Sequence, residues 1–209
     1  MPCPARFLQT LEETTRYFSG DASAWSMVGI PFTAKDGTRV VFREPETEDA
    51  RSLMEFINSV IEEDMSGIMM DKKVTLPKER VWLRKILKEV SGRETVMLVV
   101  ESDGEILGNC HVERHHMKLS HRAMIGIALS KEARGKGIGE ALMKATIALT
   151  RKRMKGIESI DLFAFDYNKR AQKLYRKLGF VEVGRIPRAV KEGDRYFDEL
   201  TMVLDLRNK

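Results

Sequence analysis

Arg134, Gly135, Lys136, Gly137, Ile138 and Gly139 are the residues of this chain whose types and spacing speak most directly of chemistry. They lie between an apolar run that reads as a strand over 123–129 and a helical pattern of Ile138, Ala141, Leu142, Ala145, Ala148 and Leu149. The first backbone N–H groups of a helix have no internal acceptors, and the macrodipole leaves that end partly positive. Glycines without Cβ atoms let a bulky anion reach the main chain, and Arg134 and Lys136 add charge around the same concavity. A pyrophosphate suits such a turn. A nucleotide-triphosphatase loop would need Ser or Thr after Gly-Lys, but Lys136 is followed by Gly137. A dinucleotide fingerprint needs Gly-x-Gly-x-x-Gly in a first βα turn; this loop is Gly-x-Gly-x-Gly and falls mid-chain.

Other reactive side chains gather upstream. His111, His115, His116 and His121 are all the histidines present, and Cys110 and Glu113 stand among them. Strand alternation puts His111, Glu113 and His115 on one face, which offers metal-ligand types without a standard ligand spacing. No metal is expected; a solvent-facing loop or a histidine-lined amine entrance are the other readings. Cys110 sits inside a strand without a basic activator, which disfavours a covalent cysteine route. Downstream, Asn168 reads as a helix N-cap. Tyr175 shares an apolar stripe with Ala171, Leu174 and Leu178, so periodicity alone makes it a core tyrosine with a bonded hydroxyl.

The elements that must position these residues follow from periodicity. A strand is expected over 38–43, then a helix carrying Ala50, Leu53, Met54, Ile57, Val60 and Ile61. A second helix starts near Pro77 and runs through Val81, Ile86 and Val90 to Gly92. Strands over 95–101 and 106–113 are joined through Asp103-Gly104, a hairpin signal. The helix after the glycine loop ends among Arg151, Lys152, Arg153 and Lys155 before Gly156, where cations suit the negative helix end. A strand over 159–165, the Asn168 helix and closing strands complete an α/β order built on a mixed sheet. Residues 1–36 are set apart as an N-terminal extension with a short helix over 4–18. It reads as a packed or frayed terminus, with substrate gating or homodimer formation as the functional alternatives.

The Arg-x-x-Gly-x-Gly loop resembles the acyl-coenzyme A loop of the GNAT superfamily of N-acetyltransferases. The match continues through the strand-like run after the helix and through Asn168, Ala171, Leu174, Tyr175, Gly179 and Phe180, which resembles that superfamily's second characteristic segment. The tail, from Val183-Gly184-Arg185 through Tyr196 and Glu199 to Met202, is similar to the closing strands of members that acetylate small amines or amino acids. The resemblance covers roughly residues 38–206 and implies a GNAT-like domain over 37–209, with a mixed, mainly antiparallel central sheet flanked by helices. It implies acetyl-coenzyme A as cosubstrate. Main-chain groups of Ile127, Ala128 and Leu129 would pair with the pantetheine arm, Arg134 to Gly139 would cradle the pyrophosphate, and Asn168 would contact the arm besides capping its helix. Tyr175 would protonate the departing thiolate. In many relatives a strand glutamate deprotonates the amine, but the corresponding position here is Met124; Glu113 and His121 are the substitutes, with loss of the proton to solvent as a third route. The activity implied is acetylation of a primary amine by direct attack in a ternary complex. The alternative is a catalytically weak acyl-coenzyme A-binding regulatory module.

Composition bounds the rest. At 209 residues and 43% hydrophobic, the chain has the size of one domain with an appendage. Its 36 Lys and Arg against 31 Asp and Glu give a net charge of +5, mixed along the chain. That is too diffuse for a nucleic-acid partner, and no basic stripe interleaves with aromatics. No membrane partner is expected, since no apolar run approaches about 20 residues. Two cysteines make no disulfide framework and the N-terminus has no apolar signal core, so a cytoplasmic location is expected.

Overall fold

A computed structural model describes residues 29–63 and 65–207, and these fall into two compact units. The first comprises residues 29–113 and Gly126–Lys155, and the second comprises Arg114–Ile125 and residues 156–207. The expected helix over 4–18 lies outside the described residues.

In the first unit β1 (Ile30–Thr33), β2 (Arg39–Arg43), β3 (Thr95–Ser102) and β4 (Glu105–Arg114) follow one another as antiparallel neighbours, and β4 is flanked by β5 (Arg122–Leu129). β1 precedes the expected start of the domain. Its Pro31 has no N–H to give a ladder, which an edge strand tolerates, and its partner β2 follows through a tight turn at Asp36 and Gly37. Helices α1 (Ala50–Ile61) and α2 (Leu76–Ser91) form where apolar spacing predicts them. Leu53, Phe56 and Val60 of α1 and Leu83 and Ile86 of α2 bury against Met97 and Val99 of β3. Fully burying side chains of this size contributes about 1.5–3 kcal/mol each. The Asn58 side chain fastens the connection, donating to Val74 O at 2.9 Å and accepting from Val74 N at 2.7 Å. Helix α3 (Ile138–Arg153) buries Ile138, Leu142, Ala145 and Leu149, as its spacing requires.

In the second unit, residues 122–124 of β5 pair in parallel with β6 (Ser159–Phe165). β6 pairs antiparallel with β8 (Arg195–Asp205), which pairs antiparallel with β7 (Val181–Glu192). Helix α4 (Lys169–Lys177) lies between β6 and β7 in sequence. Among the described residues the β5–β6 pair is parallel and the β1–β2, β2–β3, β3–β4, β6–β8 and β7–β8 pairs are antiparallel, a mixed, mainly antiparallel architecture as expected. No helix among the described residues is long and apolar enough to cross a membrane.

Candidate functional site

In the first unit the glycine loop leaves β5 through a short 3-10 turn at Lys131–Ala133 and enters α3. Gly135 has φ +83° and Gly137, the N-cap of α3, has φ +89°. Both lie in the left-handed region that glycine adopts without a Cβ penalty. The first intrahelical bond runs from Ala141 N–H to Gly137 O at 3.2 Å, so the N–H groups of Ile138 and Gly139 lie outside the helix's own ladder. The Ile138 side chain is fully buried and anchors this end of the helix. A helix start of this kind offers main-chain donors that an anion such as a pyrophosphate would suit.

The two cations of the loop do not stand free. Arg134 donates from Nε and Nη2 to Leu129 O at 2.9 and 2.7 Å, and pairs with Glu63 through Nη2–Oε1 at 3.0 Å. Lys136 Nζ lies 2.8 Å from Asp36 Oδ2 and 3.2 Å from Thr38 Oγ1. The Lys136 hydrogen bond, with those from Thr38, holds the Asp36 carboxyl at about 2, so it stays charged near neutrality. The β1–β2 turn is also clasped to the loop by Lys35 N–H donating to Lys136 O at 3.0 Å. The exposed Lys35 side chain then runs past Gly137, its Cε 3.6 Å from where a Cβ at that glycine would stand. Sequence reasoning missed this cation. The signal was the Lys35-Asp36-Gly37 turn, which lies across the boundary drawn at residue 37.

The other candidates of this unit are on β4 and β5. Ile127, Ala128 and Leu129 close β5. Glu113 is part-buried and 3.8 Å from Lys85 Nζ, which also pairs with Glu89 at 3.3 Å. Cys110 is fully buried, and burial pushes its thiol up to about 12, against a smaller opposing hydrogen bond with Thr146. It is no nucleophile. His111 Nδ1 is buried without a hydrogen-bond partner. Burial lowers its pKa below the ordinary value, outweighing the nearby charge of Glu113.

In the second unit, Asn168 Oδ1 accepts from Ala171 N at 3.1 Å, the N-cap that its position implies. Tyr175 is 8% exposed, with its ring centroid 6.1 Å from that of Phe180, in keeping with its apolar stripe. His121 is exposed, and its main-chain O accepts from Glu158 N at 2.7 Å. His115 Nε2 instead lies 3.1 Å from the buried carboxylate of Asp161, which also accepts from Arg122 Nη2 at 3.0 Å. Among the described residues no group of three or more His, Cys, Asp or Glu side chains is placed to hold a metal ion.

Comparison with known proteins gives the context. Residues 61–180 match the Acetyltransferase (GNAT) family. L-amino acid N-acetyltransferase AaaT of Escherichia coli (strain K12) is 22% identical over 166 residues, covering 79% of this chain and 97% of that protein. A GNAT-family acetyltransferase from Streptococcus pneumoniae superposes with a TM-score of 0.72 at 24% identity, covering 80% of this chain and 99% of that one. A GNAT superfamily phosphinothricin acetyltransferase from Sinorhizobium meliloti, in complex with AcCoA, superposes with a TM-score of 0.70 at 20% identity, covering 80% of this chain and 88% of that one. At these identities the two structures establish the shared fold.

Proposed function

The chain belongs to the Acetyltransferase (GNAT) family, and from that premise we propose that it moves the acetyl group of acetyl-coenzyme A to a primary amine by direct attack in a ternary complex. The observation that supports this reading is the glycine loop, which turns left-handed at Gly135 and Gly137 and leaves the N–H groups of Ile138 and Gly139 outside the helix's own ladder, as a seat for an anion requires. Arg134 and Lys136 hold the loop's shape through Glu63, Leu129, Asp36 and Thr38, and Lys35 brings a further positive charge to it. The backbone of Ile127, Ala128 and Leu129 would pair with the pantetheine arm like an added strand, with Asn168 as a further contact.

Tyr175 is assigned as general acid, giving its proton to the departing thiolate. Met124 occupies the place of the strand glutamate, so Glu113 and His121 stand as substitutes for taking the amine's proton, with loss of the proton to solvent as the third route. The acceptor class is a small molecule such as an amino acid or phosphinothricin. Support comes from AaaT and the Sinorhizobium meliloti enzyme, whose names carry those substrates.

Isothermal titration with acetyl-coenzyme A, followed by turnover with a panel of L-amino acids, phosphinothricin, polyamines and short peptides, tests the proposal. Saturable binding with turnover of at least one primary amine is expected. Absence of binding would overturn the reading, and binding without turnover of any amine would favour the regulatory acyl-coenzyme A module.

A further inference from the structure

We propose that His111 takes the proton from the acceptor amine, a role that rests on the acetyltransferase reading above. The argument begins with strand geometry. Cys110 and Val112 on β4 are fully buried, so alternation sends His111 and Glu113 to the opposite face. There His111 is paired across to Met97 of β3, and its ring lies over Gly126 of β5. A Cβ at Gly126 would stand 3.0 Å from His111 Cε1 and 3.4 Å from Nε2, so glycine is what makes the seat for the ring. Gly126 immediately precedes Ile127, Ala128 and Leu129, the backbone run assigned to the thioester arm. The imidazole thus sits one residue from that run.

The second observation is the unpartnered nitrogen. Nδ1 is buried and has no hydrogen-bond partner. The large majority of buried side-chain polar atoms in folded chains are paired, so an unpaired one calls for an explanation, of which a catalytic role is one. An imidazolium would carry N–H at both nitrogens and strand one of them here, so the resting ring is neutral, the state a base needs. The direction of its pKa shift agrees, since burial lowers it. The charged groups on this side are Glu113 on β4 and Lys85 and Glu89 on α2; the strand neighbours Met97 and Gly126 carry none. The rivals are less suited. Glu113 is engaged by Lys85, and His121 is exposed.

The step balances as follows. The ammonium form of the amine gives one proton to the His111 imidazole, which passes it to solvent. The neutral nitrogen then bonds to the acetyl carbonyl carbon and the carbon–sulfur bond breaks. The thiolate takes a proton from the general acid, which the second amine proton restores. The products are the amide, free coenzyme A and one released proton.

The test is steady-state turnover against pH for the full chain and its His111→Gln and His111→Asn variants, with acetyl-coenzyme A and the panel amine of highest turnover. Affinity for acetyl-coenzyme A is measured alongside by calorimetry. Both variants should bind the donor as the native chain does, and near neutral pH they should lose about 10²–10⁴-fold in kcat. That deficit should narrow as pH approaches the acceptor amine's own pKa, about 10.4 for a lysine-type amine, where the free amine needs no base. Added imidazole should restore part of the neutral-pH rate to a folded His111→Ala variant. A deficit equal at every pH, without imidazole rescue, would make His111 a structural residue and overturn the role; so would native kcat in either folded variant. A native chain that does not bind acetyl-coenzyme A would overturn the acetyltransferase reading itself and this role with it, so the two failures are distinguishable.

Discussion

At the scale of single residues, burial separates side chains that look alike in sequence. Cys110 and His111 are neighbours on β4, yet they point to opposite faces of the strand, Cys110 toward Thr146 of α3 and His111 to the side of Met97. With burial pushing its thiol up to about 12, Cys110 should resist iodoacetamide in the folded chain and react only on denaturation, as mass spectrometry of the labelled protein would show. His111 carries a pH signature of its own. Its folded pKa lies below the ordinary 6.5, so on acidification the unfolded chain takes up this proton first. Its contribution to stability is complete above the ordinary value and is lost as pH falls from there through the lowered folded value. Thermal melts of native and His111→Gln protein should therefore converge or cross as pH drops through that window, and parallel curves would contradict the burial argument. For Tyr175, replacement by Phe removes one oxygen from a buried ring. Turnover should fall about 10²–10⁴-fold with donor affinity retained. Native turnover in a folded Tyr175→Phe protein would return the residue to the core role that its apolar stripe implies.

At the scale of elements, the glycine loop is stiffened from both sides, and this changes what its substitutions report. Gly137→Ala has room, because the nearest atoms to the new Cβ belong to the Lys35 side chain at 3.6 Å or more. The cost comes from φ +89°, where a Cβ crowds the backbone by about 1–2 kcal/mol. Chemical denaturation should show that loss, and calorimetry should show weaker acetyl-coenzyme A binding; Gly137→Val adds bulk at the same strained position. Lys35→Ala tests the β1–β2 turn separately. Removing one exposed cation should weaken donor binding by about 2- to 5-fold, the scale of a surface charge contact of about 0.3–1 kcal/mol. The effect should shrink in high salt. The loop and α3 were legible in sequence because glycine spacing and helical periodicity are local patterns. Its supports were not: Arg134 reaches Glu63 and Lys136 reaches Asp36 across long stretches of chain, and only the assembled unit brings them together. β1 escaped notice because four residues containing a proline carry almost no periodic signal.

At the scale of the whole molecule, the order of elements and the mixed sheet were legible because they rest on apolar spacing that tertiary packing preserves, whereas the second characteristic segment was legible through its resemblance to the family. The proton acceptor was harder to read. Strand alternation placed His111 and Glu113 on one face, but nothing in a linear pattern states that Gly126 lies under the imidazole or that Lys85 lies beside the carboxylate. That same architecture bears on the order of the reaction. A covalent acyl-enzyme would need an activated nucleophile, and the buried Cys110 thiol is held in its neutral form. Direct transfer requires donor and amine to be bound together, with the amine losing its proton before attack. Initial rates with both substrates varied should give intersecting double-reciprocal lines, and no burst of free coenzyme A should appear when enzyme and acetyl-coenzyme A are mixed without amine. The rate at limiting amine should rise with pH through the neutral range, because an amine with pKa of about 10.4 is mostly protonated there. Parallel lines accompanied by a coenzyme A burst would establish an acyl-enzyme and defeat direct attack. A flat pH profile with chemistry shown to be limiting would mean that amine deprotonation does not control the rate.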